Sequence, residues 1–339
     1  MGKSDIIAKE YMEDNTIFAD VFNFLLYGGT SVLKSDHLRP LDTVLPVSMV
    51  KNGTDAAVQK IRDIYKAYTV KTDGKTTYLL LGIEEQTEVS YIMPVRTMLY
   101  DALAYERQVK AVGHRHRQKR DYRGRSQGEY LSGFWKGERL APVITAVVLL
   151  SDQPWDGPTQ LHDLLNIPDP RLLPMIENYK LHLIAPQALT KENIMKFKTS
   201  LREVLSFIKY SKDKDQLRAL VKENPRFATM DNSAAMVIRQ CTHSDFFIDT
   251  EKKGESFNMC KALDDIRQEG FEHGRKRGFD AGKKRGIEMG RNIQLSMLKN
   301  LMESLGVTAP KAMELLKITE PERGTLLAML GRETNTHRD

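Results

Sequence analysis

At 339 residues, 41% hydrophobic and 28% charged, the chain has the length for two cores and the composition of a globular protein, which excludes fibrous and disordered classes. No run approaches 18 consecutive apolar residues, so no membrane span is expected, and the first ten residues lack the apolar stretch that a secretory signal needs. Cys241 and Cys260, without ligand-like spacing, point to a reducing cytoplasm with neither disulfide nor zinc centre, and a net charge of +6 permits a nucleic-acid partner without requiring one.

In chain order, Asp14 and Asn15 are good helix caps, and Ile17, Val21, Phe24 and Leu25 repeat at helical spacing until Gly28-Gly29 ends the helix. Leu41 to Leu45 is short and β-prone, and Thr54 caps a second helical pattern through Val58, Ile61, Ile64 and Tyr65. Val70 to Thr72 and Thr76 to Ile83 read as the arms of a hairpin, because Asp73-Gly74 supplies the positive φ angles of a tight turn. The second arm is continuously apolar, the pattern of a strand buried on both faces. Pro94 opens a long helix through Val109, and the stretch 110–128, rich in Arg, His, Lys and Gly, reads as a mobile loop. Val143 to Leu150 and Tyr179 to Ala185 read as further strands, and 191–223 as helical. A polar break near Gly254 precedes a helix running to about Asn300, and a short helical hairpin with Pro310 and Pro321 near its helix starts closes the chain. The first 190 residues are thus mixed α/β and the rest almost entirely helical.

Glu84-Glu85-Gln86 stands at the end of the most apolar strand. Alternation sends Glu84 and Gln86 to one face and Glu85 to the other. An acid and a polar side chain there form half of a divalent-metal site; the other half needs a carboxylate from a neighbouring strand, and Asp42 is the natural candidate. Magnesium accepts one or two carboxylates with waters and phosphate oxygens, and held there it activates water and stabilises charge at phosphorus. Gln86 can orient that water but cannot take its proton. Asp20, on the apolar face of the first helix, aims a carboxylate at the core, where an acid needs a partner or a metal. Arg96 and Tyr100, four apart on one helix face, are placed to orient the metal ligands or touch phosphate. Taken alone, each of these features also fits a strand or helix simply reaching solvent.

Arg115, Arg117, Lys119 and Arg120, with Arg123 and Arg125, concentrate charge suited to phosphate-backbone contact, or to a solvated loop. Gly270, Gly274, Gly278, Gly282, Gly286 and Gly290 recur every four residues between basic triplets. Each interior glycine costs a helix about 1 kcal/mol relative to alanine. Either another chain or a phosphate approaches that stripe closely, or the segment is a charged linker.

Several segments, in order from about residue 10 to 215, resemble the Rpn family of recombination-promoting nucleases and transposase-like proteins. They are 15–23, Leu41-Asp42-Thr43, 80–86, Met93-Pro94-Val95-Arg96 with 98–103, 130–134, 142–145, 154–158 and 207–211. The resemblance implies an α/β fold with a PD-(D/E)XK restriction-endonuclease-like core, a mixed sheet flanked by helices, to which the sequence pattern adds an all-helical C-terminal region. It implies magnesium, with manganese as a substitute, and DNA as the substrate. Carried across, Asp42 and Glu84 are the metal-binding acids, Gln86 stands where the superfamily has lysine, and Asp20 is similar to the acid of the first helix. Glu85 departs from the His or Asn of relatives, and Pro46, soon after Asp42, demands a short or edge strand. The expected organisation is a nuclease-like domain at 1–215, a helical connector at 216–254 and a C-terminal helical region at 255–339. The expected function is a metal-dependent DNA endonuclease linked to recombination or mobile elements. The alternative is a catalytically weak or inactive DNA-binding or self-assembling accessory protein, with the 255–305 helix as the contact between copies.

Overall fold

The computed structural model describes residues 3–51, 54–61, 63–72, 75–244, 246, 248 and 256–336. The chain divides into two compact units, Met1–Leu263 and Asp264–Asp339.

Helices α1 (Lys3–Glu13) and α2 (Asn15–Tyr27) open the first unit. The Asp14 carboxylate caps α2, accepting from the N–H groups of Thr16 and Ile17 at 2.7 and 3.1 Å. The expected glycine stop is also present. Gly29 adopts φ +91°, and a Cβ there would stand 2.7 Å from the carbonyl oxygen of Lys196, so only glycine fits.

Strands β1 (Leu38–Pro40), β2 (Val44–Lys51), β3 (Thr54–Ile61), β4 (Ile64–Thr72) and β5 (Lys75–Gln86) follow. The helix expected from Thr54 to Tyr65 is therefore strand on both sides of a break. Its apolar positions Val58, Ile61 and Ile64 have helical spacing, but all are β-branched and favour a pleated surface. β2 and β3 form their own antiparallel ribbon, with Pro46 opposite Gln59. Both strands of such a ribbon are edges, which is where proline is tolerated. Leu41–Thr43 are not strand, although the Leu41 N–H still donates to the Tyr65 carbonyl at 2.8 Å. β4 and β5 form the expected hairpin, Thr72 opposite Lys75, while Asp73-Gly74 itself lies outside the described residues.

Helix α3 (Met93–Lys119) and the short α4 (Gln127–Ser132) lead to β6 (Val143–Leu149), which runs parallel to β5; β7 (His182–Ile184) runs parallel to β6. The main sheet is mixed, in the order β1-β4-β5-β6-β7. Tyr65, Leu80 and Val143 lie on the face that α3 covers, packing with Ala104. α1 lies against β4 and β5. The continuously apolar strands are buried as expected: Leu81, Ile83, Val147 and Val148 are inaccessible.

The unit is completed by α5 (Lys191–Ile194), α6 (Leu201–Tyr210), α7 (Lys214–Glu223), β8 (Met230–Asp231), α8 (Asn232–Thr242) and β9 (Ser256–Phe257). α8 packs against α1 and α6, so much of the expected connector belongs to the first unit. The polar break expected near Gly254 lies outside the described residues.

Helix α9 (Met259–Leu305) begins in the first unit and continues into the second, which also holds α10 (Ala309–Leu315) and α11 (Glu320–Thr336). Leu295, Leu298, Ala312, Met313, Ile318 and Leu326 form a small core there. Pro310 and Pro321 occupy the first turns of α10 and α11, where a missing N–H is harmless. The six stepped glycines lie exposed in α9, and a Cβ on any of them would meet nothing within 4 Å. No helix among the described residues is long and apolar enough to cross a membrane.

Candidate active site

The β4–β5 register pairs Ile64 with Ile83. Continuing it by one residue sets Asp63, immediately before β4, opposite Glu84. Directly opposed residues of an antiparallel pair have Cα atoms about 4.5–5.5 Å apart and side chains on one face. The Asp63 Oδ2 accepts a hydrogen bond from the Glu85 N–H at 3.2 Å, which ties the two strand ends together.

Glu84 is fully buried and points at α3, where the Arg96 Nε lies 3.6 Å from its Oε2. The same Nε donates to the Tyr100 hydroxyl at 3.2 Å. Asp63 and Glu84 both act electrostatically on Arg96 and Tyr100, so four groups share one site. Burial, above all, pushes the Tyr100 phenol above its ordinary value, with Glu84 and Asp63 adding to the rise. Tyr100 therefore stays protonated and works as a hydrogen-bonding partner. Being only 4% exposed, it is placed to orient Arg96 and not to touch DNA. Gln86 follows at the strand's end, its Nε2 donating to the Glu85 carbonyl at 2.6 Å, which leaves Oε1 to accept. Glu85 faces the other way, as alternation requires, and raises the thiol of Cys241 on α8, which burial chiefly pushes to about 12.

One turn beyond Arg96, Asp101 is buried and accepts from the Thr145 hydroxyl of β6 at 2.6 Å and from the Tyr179 hydroxyl. This network holds α3 down over the acids. On the same rim, past the ends of β6 and β7, Asp152, Gln187, Lys209 and Lys212 line a groove of about 490 Å³.

Two expected site residues fall elsewhere. Asp42 is exposed and lies on the β1 side of β4, with the whole of β4 between it and β5. Its carboxylate pairs with Arg107 at 3.7 Å, about 16 Å along α3 from Arg96. Asp63, not Asp42, is the acid opposite Glu84. Asp20 is buried as expected, but its carboxylate accepts from the N–H groups of Lys198 and Thr199 at 2.9 and 2.8 Å and from the Thr199 hydroxyl at 2.6 Å. It is a structural anchor between α2 and the turn before α6.

The basic residues also lie elsewhere than expected. No loop starts at Lys110: α3 continues through Arg115, Arg117 and Lys119, and Arg120 caps it in left-handed backbone. Arg, Lys, Gln and His are compatible with helix, and cations in a last turn complement its dipole. Arg117 is therefore about 32 Å along the helix axis from Arg96, and the basic cluster does not border the acids.

A family model described as "Putative transposase, YhgA-like" matches residues 59–235, more than half of the chain. The chain belongs to this family. The span matched to the YhgA-like family contains Asp63, Glu84, Gln86, Arg96 and Tyr100, and omits both Asp20 and Asp42. No curated protein and no solved structure matches the chain.

Proposed function

We propose that this YhgA-like chain is a magnesium-dependent DNA endonuclease with a PD-(D/E)XK-type core. The observation that carries the reading is the pairing of Asp63 with Glu84 at the rim of the sheet, under Arg96. Among the described residues no group of three or more His, Cys, Asp or Glu side chains has metal-holding geometry. Magnesium needs fewer, since one or two carboxylates suffice when waters and phosphate oxygens complete the shell. Two hard oxygen donors from opposed strand positions fit that demand, with manganese as a substitute. Bound there, the ion lowers the pKa of a water and stabilises charge on the phosphate.

The chain's own residues do the rest. Asp63 and Glu84 hold the ion, and Gln86 accepts a hydrogen bond from the attacking water through Oε1, orienting it. Gln86 has no basic atom, so the water's proton passes to a carboxylate or to solvent. Arg96 faces the Glu84 carboxylate and offers its remaining N–H groups to a phosphate oxygen. Lys209, which donates to the Gln187 carbonyl, and Lys212, which pairs with Asp152 at 3.3 Å, line the groove past β6 and β7.

A second reading, a DNA-binding accessory protein without catalysis, draws on Gln86 in place of a lysine and on the extra acid at Glu85. One assay separates the two. With magnesium the chain nicks supercoiled plasmid; Asp63→Asn and Glu84→Gln each reduce nicking at least a hundredfold, and Asp42→Asn changes it less than threefold. Nicking that persists in both site variants rejects the acid pair, and no nicking with magnesium or manganese leaves the accessory reading.

A further inference from the structure

Residues 114–139 carry eight Arg and Lys against three acids, so five of the chain's net six positive charges sit in 26 residues. All three acids are engaged by partners within the segment. Asp121 and Glu138 clamp the buried His116: both Asp121 oxygens lie 3.1 Å from its Nδ1, and Glu138 Oε1 lies 2.8 Å from its Nε2. The His116 ring packs 3.9 Å from the buried Trp135. Glu138 also accepts from the Trp135 N–H at 3.1 Å and pairs with Arg115 at 3.1 Å. Glu129 closes a capping box on Ser126, starting α4, and accepts from the Lys136 N–H at 3.1 Å. Arg125 lies over the Trp135 ring.

What remains outside is cationic. Arg117, Arg120 and Arg123 are exposed and make no ion pair among the described residues. They stand on a braced knob, not on a loose loop. Exposed apolar groups are few, Tyr130 and Leu131 on α4, too little for a bilayer surface to grip.

We propose that this knob is a duplex-anchoring surface, gripping the DNA backbone about one helical turn from the Asp63–Glu84 pair. The offset comes from α3. Arg96 roofs the acids and Arg117 stands 21 residues later in the same helix. At 1.5 Å per residue that is about 32 Å, the rise of roughly nine base pairs at 3.4 Å each. A duplex lying along α3 would therefore offer phosphates about nine base pairs apart to the acids and to the knob. The offset rests on the nuclease reading of the acid pair; the anchoring does not.

The test uses the full chain carrying Glu84→Gln, which binds without cutting, and fluorescence anisotropy on blunt duplexes of 6, 10, 16 and 24 base pairs. Replacing Arg117, Arg120 and Arg123 together by Ala weakens binding of the 24-mer at least tenfold and makes the slope of log K against log salt shallower by about 2–3. The Arg→Lys triple variant keeps most of the affinity, because phosphate contact needs charge. The parent's affinity rises at least tenfold from the 6-mer, too short to reach both surfaces, to the 24-mer, and the Ala triple variant loses most of that rise. Equal affinity and slope on the 24-mer would overturn the anchor. Parent affinity that does not rise from the 6-mer to the 24-mer would overturn the offset, and a loss confined to anionic phosphatidylserine vesicles would reassign the surface to membranes. All three arginines are exposed and make no ion pair among the described residues, and in a chain also carrying Trp155→Phe the Trp135 fluorescence checks that the knob stays folded. Absence of nicking by the unmodified chain would sink the nuclease reading while leaving the binding results to stand.

Discussion

Buried carboxylates in this molecule take on distinct jobs according to what faces them. Glu84 faces a guanidinium 3.6 Å away, whereas Asp20 accepts two backbone N–H groups and a hydroxyl from residues 198 and 199. Removing such charge-assisted hydrogen bonds strands the donors. Asp20→Ala is expected to lower stability by about 2 kcal/mol, seen as a reduced urea midpoint, with nicking per folded molecule unchanged. A loss of nicking without loss of stability would return Asp20 to the site. Glu138 makes a pH prediction. Burial pushes its carboxyl up, but the Trp135 N–H, His116 and Arg115 outweigh that and hold it below the ordinary glutamate value. A depressed folded value means stabilisation that is complete above the unfolded value, about 4.3, and lost as pH falls through the folded one. In a chain carrying Trp155→Phe, Trp135 fluorescence should hold steady from pH 7 to 5 and change below about pH 4. Glu138→Gln should remove that transition; an unaltered one assigns it to another group.

At the scale of elements, what could be read from the sequence was whatever one strong local pattern determined. The unbroken apolar run to Ile83, the Asp14 cap and the Gly28-Gly29 stop all gave the elements they promised. The span 54–65 misled because its β-branched residues happen to fall at helical intervals across two strands and a break. Charge makes 110–119 look like a solvated loop, but the span is helix, and its buried His116 meets Glu138 and Trp135 about twenty residues on. Asp63 was recoverable in principle. The Asp-Gly pair in the sequence suggests a hairpin that sets 72 opposite 75, the register the strands have, and counting back along both arms brings 63 opposite 84. Among the described residues nothing comes within 4 Å of a Cβ placed on any of the stepped glycines. Gly274→Ala and Gly282→Ala should each stabilise α9 by about 1 kcal/mol, slowing amide hydrogen exchange near the substitution about fivefold. Exchange that does not slow would mean the glycines serve a contact made by a partner.

For the whole molecule, the division at Leu263 decides what each part can do alone. The five-stranded sheet, the acid pair, the Asp101 network and the cationic knob all belong to residues before that point. Met259 is fully buried and the Cys260 thiol reaches the Val221 carbonyl at 3.5 Å, so the first turn of α9 is part of the first unit's packing. Beyond it, Phe271 and Phe279 are exposed in a helix stretch where both glycines and charges recur. A chain ending after Leu263 should therefore unfold cooperatively at a midpoint within a few degrees of the full chain's first transition, and should nick plasmid at a comparable rate. A chain ending after Asn258 should be less stable, because Met259 leaves a core position vacant, typically worth about 2–5 kcal/mol when a methionine is lost. If α9 joins copies, light scattering should show a smaller mass for the 263-residue chain than truncation alone explains. If the mass falls only by the residues removed, assembly through the 255–305 helix is ruled out, and the exposed stripe awaits a different occupant.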